Sequence, residues 1–210
     1  MMARQVLLEP KSPWLRRRSR RQMPQESVAG TTIHSERLDL IPMSPEFLQA
    51  SLQGDQVRIQ ELIGLTVPKE WPDKRDLVEL RLGQLQAAPF LQPWLLRAIG
   101  LRHQGTMVGY IGFHSQPGAE YLRKLAPGGV EFGYTIFPEF RRLGYAREAC
   151  VALMEWALHV HGVVRFVVSI GPTNSASIAL ARQLGFLRIG THVDEVEGPE
   201  EIFERRFHEG

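Results

Sequence analysis

The sequence predicts an α/β (α+β) fold whose sheet combines a hairpin with strand–helix–strand units. Three observations carry that prediction. Two apolar stretches, "WLLRAIGLR" and "TMVGYIGFH", are separated only by the polar "HQG", as in an antiparallel hairpin. Leucine and isoleucine recur at three- and four-residue spacing in "GDQVRIQELIGL" and "KRDLVELRLGQLQAA", the period of a helix with one buried face. From residue 130 onward, strand-like and helix-like segments alternate, which reads as a β-α-β-α-β run.

The elements follow in order. "RLDLIP" (37–42) alternates apolar and polar residues as a half-buried strand does. "SPEFLQASL" opens a helix with Ser44 as N-cap and Pro45 in the first turn. The two amphipathic helices come next, joined by the Pro-rich "TVPKEWPD". The hairpin leads into a loop, "PGAEYLRKLAPGG". Then come a strand at 130–137, a helix from about 142 to 160, a strand at 163–170 and a helix at 175–184. Strands at 186–191 and 201–207 complete the order. In the long helix, Ala146, Cys150, Leu153, Met154, Ala157 and Val160 share one face, predicted to lie against the sheet.

With 210 residues and 43 % apolar content, the chain can bury one sizeable core. No apolar run is long enough to cross a membrane. The single cysteine, Cys150, excludes an internal disulfide framework and speaks against a cysteine-type zinc site, so a reducing, cytoplasmic setting is expected.

The formal charge of +2 is unevenly spread. Residues 1–30 carry seven basic side chains against Glu9 and Glu26, which leaves the rest of the chain mildly acidic. A broadly basic nucleic-acid-binding domain is therefore not expected. The basic segment 1–30 reads as a disordered tail, and residues 31–210 as a single domain. The tail is either a solvated extension or a loose contact for RNA, ribosome or anionic lipid. Its "SRR" is not followed by the apolar region of an export signal.

The stretch "EFGYTIFPEFRRLGYAREA" (131–149) changes from strand to helix at its centre, and there it places Gly144 and Ala146. The first N–H groups of a helix have no partner inside it, and the helix dipole adds roughly half a positive charge there. Small residues at that point leave those donors open, which makes a cradle for phosphate. A Walker A loop would need Gly-Lys-Ser/Thr, and a dinucleotide fingerprint would need three spaced glycines; "RRLGYA" has neither.

Arg141-Arg142-Leu143-Gly144-Tyr145-Ala146 instead fits Arg/Gln-x-x-Gly-x-Gly/Ala. On this motif the chain resembles the GNAT superfamily of acyl-CoA-dependent N-acyltransferases. "ERLDLIPMSPEFL", "MVGYIGFH" and "PTNSASIALARQLGF" extend the resemblance to the RimJ/RimL-like, ribosomal-protein N-acetyltransferase-like branch, over about residues 31–207. The resemblance implies a mostly antiparallel mixed sheet flanked by helices, with the strands at 130–137 and 163–170 splayed into a cleft. Pantetheine of acetyl-CoA, the implied cosubstrate, would pair with the open edge of the first strand at Ile136 and Phe137. Pro138, which has no ladder donor, fits that strand's end. Main-chain N–H groups from Arg142 to Ala146 would hold the phosphates, with the Arg141 side chain nearby. Many relatives carry glycine where this chain has Arg142.

Acetyl transfer from a thioester to an amine makes three chemical demands. An ammonium of pKa ~10.4 must lose a proton. The oxyanion needs a preorganised donor, worth about 3 kcal/mol. The leaving thiolate, of pKa ~8.5, benefits from a proton. The resemblance assigns the oxyanion to the Ile136 N–H. Many relatives use a tyrosine seven residues after the motif asparagine; counted from Asn174, that position is Ala181. Ser177, three residues after Asn174, takes the role in the ribosomal branch, and it otherwise reads as a first-turn helix serine. Asn174 reads both as an N-cap and as a pantetheine ligand. Tyr110, Tyr134 and Tyr145 are further donors for the thiolate.

For the base, Glu131 at the start of the cleft strand competes with Glu195 in the acidic "DEVEGPEE" and with His114. The acidic loop would draw a cationic primary amine, whether a protein N-terminus, a lysine or a small amine. Trp71 reads either as lining the acceptor side or as core. The main expectation is an N-acetyltransferase acting by direct attack in a ternary complex. The alternative, which Ala181 favours, is a catalytically silent acyl-CoA-binding sensor of the same fold.

Overall fold

A computed structural model describes residues 30–69, 71–194 and 198–207. The basic tail and Glu195 lie outside the described residues. Among those described, no helix is long and apolar enough to cross a membrane.

Eight strands form one sheet: β1 (Ile33–His34), β2 (Leu38–Pro42), β3 (Arg97–Leu101), β4 (Thr106–Phe113), β5 (Val130–Ile136), β6 (Arg165–Ile170), β7 (Leu187–Asp194) and β8 (Gly198–Arg206). Their order is β1-β2-β3-β4-β5-β6-β8-β7. Every neighbouring pair is antiparallel except β5–β6. That pair is parallel because a helix crossover, α4 (Tyr145–His161), connects it.

Three helices cover one face: α1 (Pro45–Gln53), α2 (Gln56–Ile63) and α3 (Arg75–Ala87), their apolar sides meeting Tyr110 and Phe137. The Ser44 side chain accepts from the Phe47 N–H at 3.2 Å, and Pro45 opens α1, as the sequence predicts. On the other face α4 and α5 (Ser175–Gln183) pack with Phe113, Phe132 and Phe166. Gly109 brings β4 and β5 together so closely that a Cβ there would run into the Thr135 carbonyl oxygen.

The boundaries depart from expectation where backbone conformation overrides side-chain pattern. The long helix begins at Tyr145, because Arg142 (φ 63°) and Gly144 (φ 84°) take left-handed conformations that a helix cannot include. Val160 belongs to the apolar periodicity yet is 49 % exposed, in the last turn of α4. The last strand starts at Gly198, because the β7–β8 hairpin pairs Asp194 with Gly198 and carries polar residues into the ladder. β1, only two residues long, left no periodic signal.

Candidate active site

The hydrogen-bond alternation of β5 sets the site. His114 N–H donates to the Glu131 carbonyl at 2.8 Å and Phe137 N–H to the Val108 carbonyl at 3.0 Å. Odd-numbered residues of β5 therefore bond to β4, and the N–H groups of Tyr134 and Ile136 point the other way. On that side β6 pairs only with Val130 and Glu131 before the strands part. The result is an open strand edge facing a cleft of about 830 Å³ between β5, the start of α4 and α5.

At one end of the cleft lies the loop from Arg141 to Ala146. Gly144 caps α4 without a side-chain hydrogen bond, so the first-turn N–H groups of the helix keep no side-chain acceptor. Arg141 turns back, its Nε donating to the Ile136 carbonyl at 2.9 Å, which joins the loop to the open edge. Arg37, which motif reasoning did not single out, donates from Nη1 to the Leu143 carbonyl at 3.1 Å, and its guanidinium lies 4.7 Å over the Tyr145 ring.

At the other end, Asn174 accepts from the Ser177 N–H at 3.1 Å and so caps α5 while also lining the cleft. The Tyr134 hydroxyl bonds the Ser177 side chain. Burial, and to a lesser extent Cys150, pushes the Tyr134 phenol up to about 12, so it keeps its proton at neutral pH. Ala181 is buried beside Tyr134, Cys150 and Ser177 in a small apolar pocket.

Ile136, Arg141, Arg142, Gly144, Tyr145, Ala146, Asn174 and Ser177 thus share one cleft. Phe137 stands apart, since its side chain packs on Tyr110 in the opposite core layer and β4 takes its N–H. Leu143 is turned to solvent, and Arg37 occupies its carbonyl. Tyr110 bonds Asp73 at 3.0 Å, and Trp71 is core, its indole N–H donating to Ser51 Oγ at 2.9 Å.

Glu131 lies on the other face of β5, only 6 % exposed. Ser169 Oγ donates to its Oε1 at 2.5 Å, and His114 Nδ1 stands 3.6 Å from Oε2. Burial pushes its carboxyl up, but His114, Ser169 and Tyr121 together outweigh that and hold it below the usual carboxylate range. A chain read residue by residue shows none of this, because the three partners come from three separate segments.

Comparison with known proteins agrees with this geometry. Residues 37–187 match the acetyltransferase (GNAT) domain family. The FsC-acetyl coenzyme A-N(2)-transacetylase of Aspergillus fumigatus is 20 % identical over 172 residues, 81 % of this chain and 71 % of that one. A solved acetyltransferase that modifies the N-terminal serine of ribosomal protein L7/L12 in Salmonella typhimurium shares the fold, with TM-score 0.57 and 19 % identity over 85 % of this chain and all of the other. So does the microcin C7 self-immunity acetyltransferase MccE, solved with acetyl-CoA and AMP, at TM-score 0.56 and 16 % identity over 86 % of this chain and 100 % of the other. Over most of its length, then, this chain belongs to the GNAT family of acetyl-CoA-dependent N-acetyltransferases.

Proposed function

We propose that this chain moves an acetyl group from acetyl-CoA to a primary amine, and that the acceptor is the N-terminal amine of a protein or peptide. The observation that carries the cofactor placement is the continuous path from the open edge of β5 to the uncapped start of α4. Pantetheine pairs with that edge as an added strand, and the diphosphate meets the peptide N–H groups from Arg142 to Ala146. The Ile136 N–H, aimed into the cleft, takes the oxyanion. Ser177 and Tyr134, joined by a hydrogen bond beside the thioester position, hand a proton to the departing sulfur. Glu131 anchors the acceptor side. Glu195, which follows Asp194 in sequence and lies outside the described residues, adds negative charge that draws a cationic amine.

Likeness to enzymes that act on ribosomal-protein N-termini supports a protein amine over a polyamine. The arginine cluster of the tail adds weak, salt-sensitive RNA or ribosome contact. One catalytic domain spans 31–210, and the lone buried cysteine fits a cytoplasmic setting.

The test is thiol release from acetyl-CoA with a panel of free-N-terminal peptides, ribosomal proteins and small amines, with products identified by mass. Acetylated N-termini support the proposal. Acetyl-CoA binding with no acetylated product from any amine would leave only a sensor of the same fold.

A further inference from the structure

We propose that the base which takes the proton from the attacking amine is the imidazole of His114, and that Glu131 acts through it as the carboxylate that orients the ring. The inference rests on the acetyltransferase reading above and assigns a role within the same site.

Strand geometry makes the first argument. Five residues separate Glu131 from Ile136, about 17 Å at the ordinary rise of a strand, too far for a carboxylate to touch an amine attacking a carbonyl held at Ile136. Solvation makes the second. The Glu131 carboxylate is engaged by Ser169, Tyr121 and His114 and is almost sealed from water. A carboxylate held by three donors is a weak proton acceptor and a firm anchor.

His114 has the opposite properties. Its side chain is 40 % exposed, and its Nδ1 faces Glu131 while its Nε2 lies over Gly133. A Cβ built on Gly133 would stand 3.3 Å from that Nε2 and would meet nothing else within 4 Å. Gly133 sits in regular strand, outside the positive-φ region, so its backbone does not call for glycine. What its missing side chain leaves room for is the imidazole. From there to Ile136 is three residues, about 10 Å, a span that an amine, a thioester carbon and its oxygen fill.

The other polar groups around His114 fit this role. From α3, the buried Arg81 donates from Nη1 to the His114 carbonyl at 3.1 Å. Tyr121 reaches Glu131 and Ser115 from the loop after β4, and Ser169 reaches Glu131 from β6. The 3.6 Å gap between Nδ1 and Oε2 closes as the ring gains positive charge, since resting hydrogen bonds in catalytic sites are often long.

The step balances as follows. The amine arrives as R–NH3+ and gives one proton to Nε2, which passes it to solvent at the exposed ring edge. The neutral nitrogen attacks, the C–N bond forms and the C–S bond breaks. The nitrogen then loses its second proton to Nε2. The sulfur takes one proton from the Tyr134–Ser177 pair. Nε2 releases its second proton to solvent and the pair regains one from solvent, so the net products are the amide, the free thiol of CoA and one proton.

Two measurements test this, one of which needs no acceptor. Nitrogen-15 NMR of labelled histidine, on the protein alone, should show neutral His114 with its hydrogen on Nδ1. In Glu131→Gln the preference for that tautomer should weaken, since the carboxylate facing the Nδ1 hydrogen is gone. A hydrogen on Nε2, or a tautomer unchanged in Glu131→Gln, would overturn the dyad whatever the acceptor.

Turnover is then followed by thiol release with a peptide bearing a free N-terminal serine. His114→Gln should lower kcat by about 100-fold, the lower end for a general base, with acetyl-CoA affinity by calorimetry within twofold of wild type. Glu131→Gln should lower kcat less than His114→Gln does, with the KM for acetyl-CoA unchanged. Gly133→Ala, which removes no titratable group, should also slow turnover by displacing the ring. Wild-type rates in His114→Gln with loss in Glu131→Gln would return the role of base to Glu131. Failure of the wild-type protein itself to bind acetyl-CoA would instead break the parent reading.

Discussion

Arg37 and Glu148, 111 residues apart in sequence, are joined by two 2.7 Å bonds: the Arg37 backbone N–H meets Oε1 and its Nε meets Oε2. Ser35 Oγ adds a third bond to the same carboxylate at 2.7 Å. Glu148 sits in the first turn of α4, where a negative charge favours the positive end of the helix. The chain leading into β2 is thus strapped to the start of α4 and, through Nη1 of Arg37, to the carbonyl of Leu143. The loop before α4 is held from outside, by a residue far from its own motif.

Arg37→Ala should therefore weaken acetyl-CoA binding without removing any proposed ligand. The apparent KM for acetyl-CoA should rise about tenfold, equivalent to ~1.4 kcal/mol, with kcat nearly unchanged. Losing charge-assisted bonds to a partly buried carboxylate should cost about 1–3 kcal/mol in urea unfolding. An unchanged KM would show that the loop holds its shape alone.

Arg142 is a side-chain-bearing residue held at φ 63°. Arg142→Gly should relieve the steric cost of that conformation, worth roughly 1–2 kcal/mol, less the entropy glycine adds to the unfolded chain, roughly 0.4–1 kcal/mol. A small rise in melting temperature is expected. Because the donors are peptide N–H groups, CoA affinity should change by less than tenfold. A larger loss would assign the guanidinium a direct phosphate contact.

Gly109 has no room for a side chain against the Thr135 backbone. Gly109→Ala should force β4 from β5 and cost on the order of 3 kcal/mol, the upper part of the range for single substitutions. It should also lower CoA binding, since it shifts the strand whose far edge borders the cleft. Equilibrium denaturation and calorimetry on the same variant check both.

Acid should destabilise the protein in a defined window. Glu131, Glu148 and Asp39 are all pushed up by burial, yet their bonds to His114 and Ser169, to Arg37 and Ser35, and to Arg102 and His34 bring each below its ordinary value. The unfolded chain, titrating near 4.5 for glutamate and 3.8 for aspartate, then binds more protons than the folded one. The stabilisation is present in full above about pH 4.5 and is lost as pH falls through the lowered values. Melting temperatures between pH 7 and pH 3 should show this decline. Glu131→Gln should be less stable at pH 7 and decline less steeply, and an equal slope would contradict the assignment.

Much of this architecture was legible because local signals and tertiary packing agree. The hairpin of β3 and β4, the Ser44 cap and the buried stripe of Cys150, Leu153, Met154 and Ala157 all follow from residue type and spacing. The turn into α4 at Gly144 was legible because a helix start with small residues is a local feature. The surroundings of Glu131 and His114, both candidate bases by sequence, were not, since Ser169, Tyr121 and Arg81 are brought to them only by tertiary packing, including the parallel β5–β6 pairing and α3. Arg37 escaped notice for the same reason. The left-handed turn at Arg142 hides in sequence because arginine carries no sign of positive φ.

The account turns on the peptide N–H groups at the start of α4 holding the diphosphate of CoA. Calorimetric titration of CoA into the wild-type protein and into Gly144→Val tests it most directly. At Gly144, φ is 84° and a Cβ would stand 3.3 Å from Nη2 of Arg37, so a branched side chain both strains the turn and fills the cradle. The account predicts binding of one CoA per chain to the wild type, at least 100-fold weaker binding to Gly144→Val, and no competition by ATP. Equal affinity of CoA for the two proteins, or no binding to either, would contradict it.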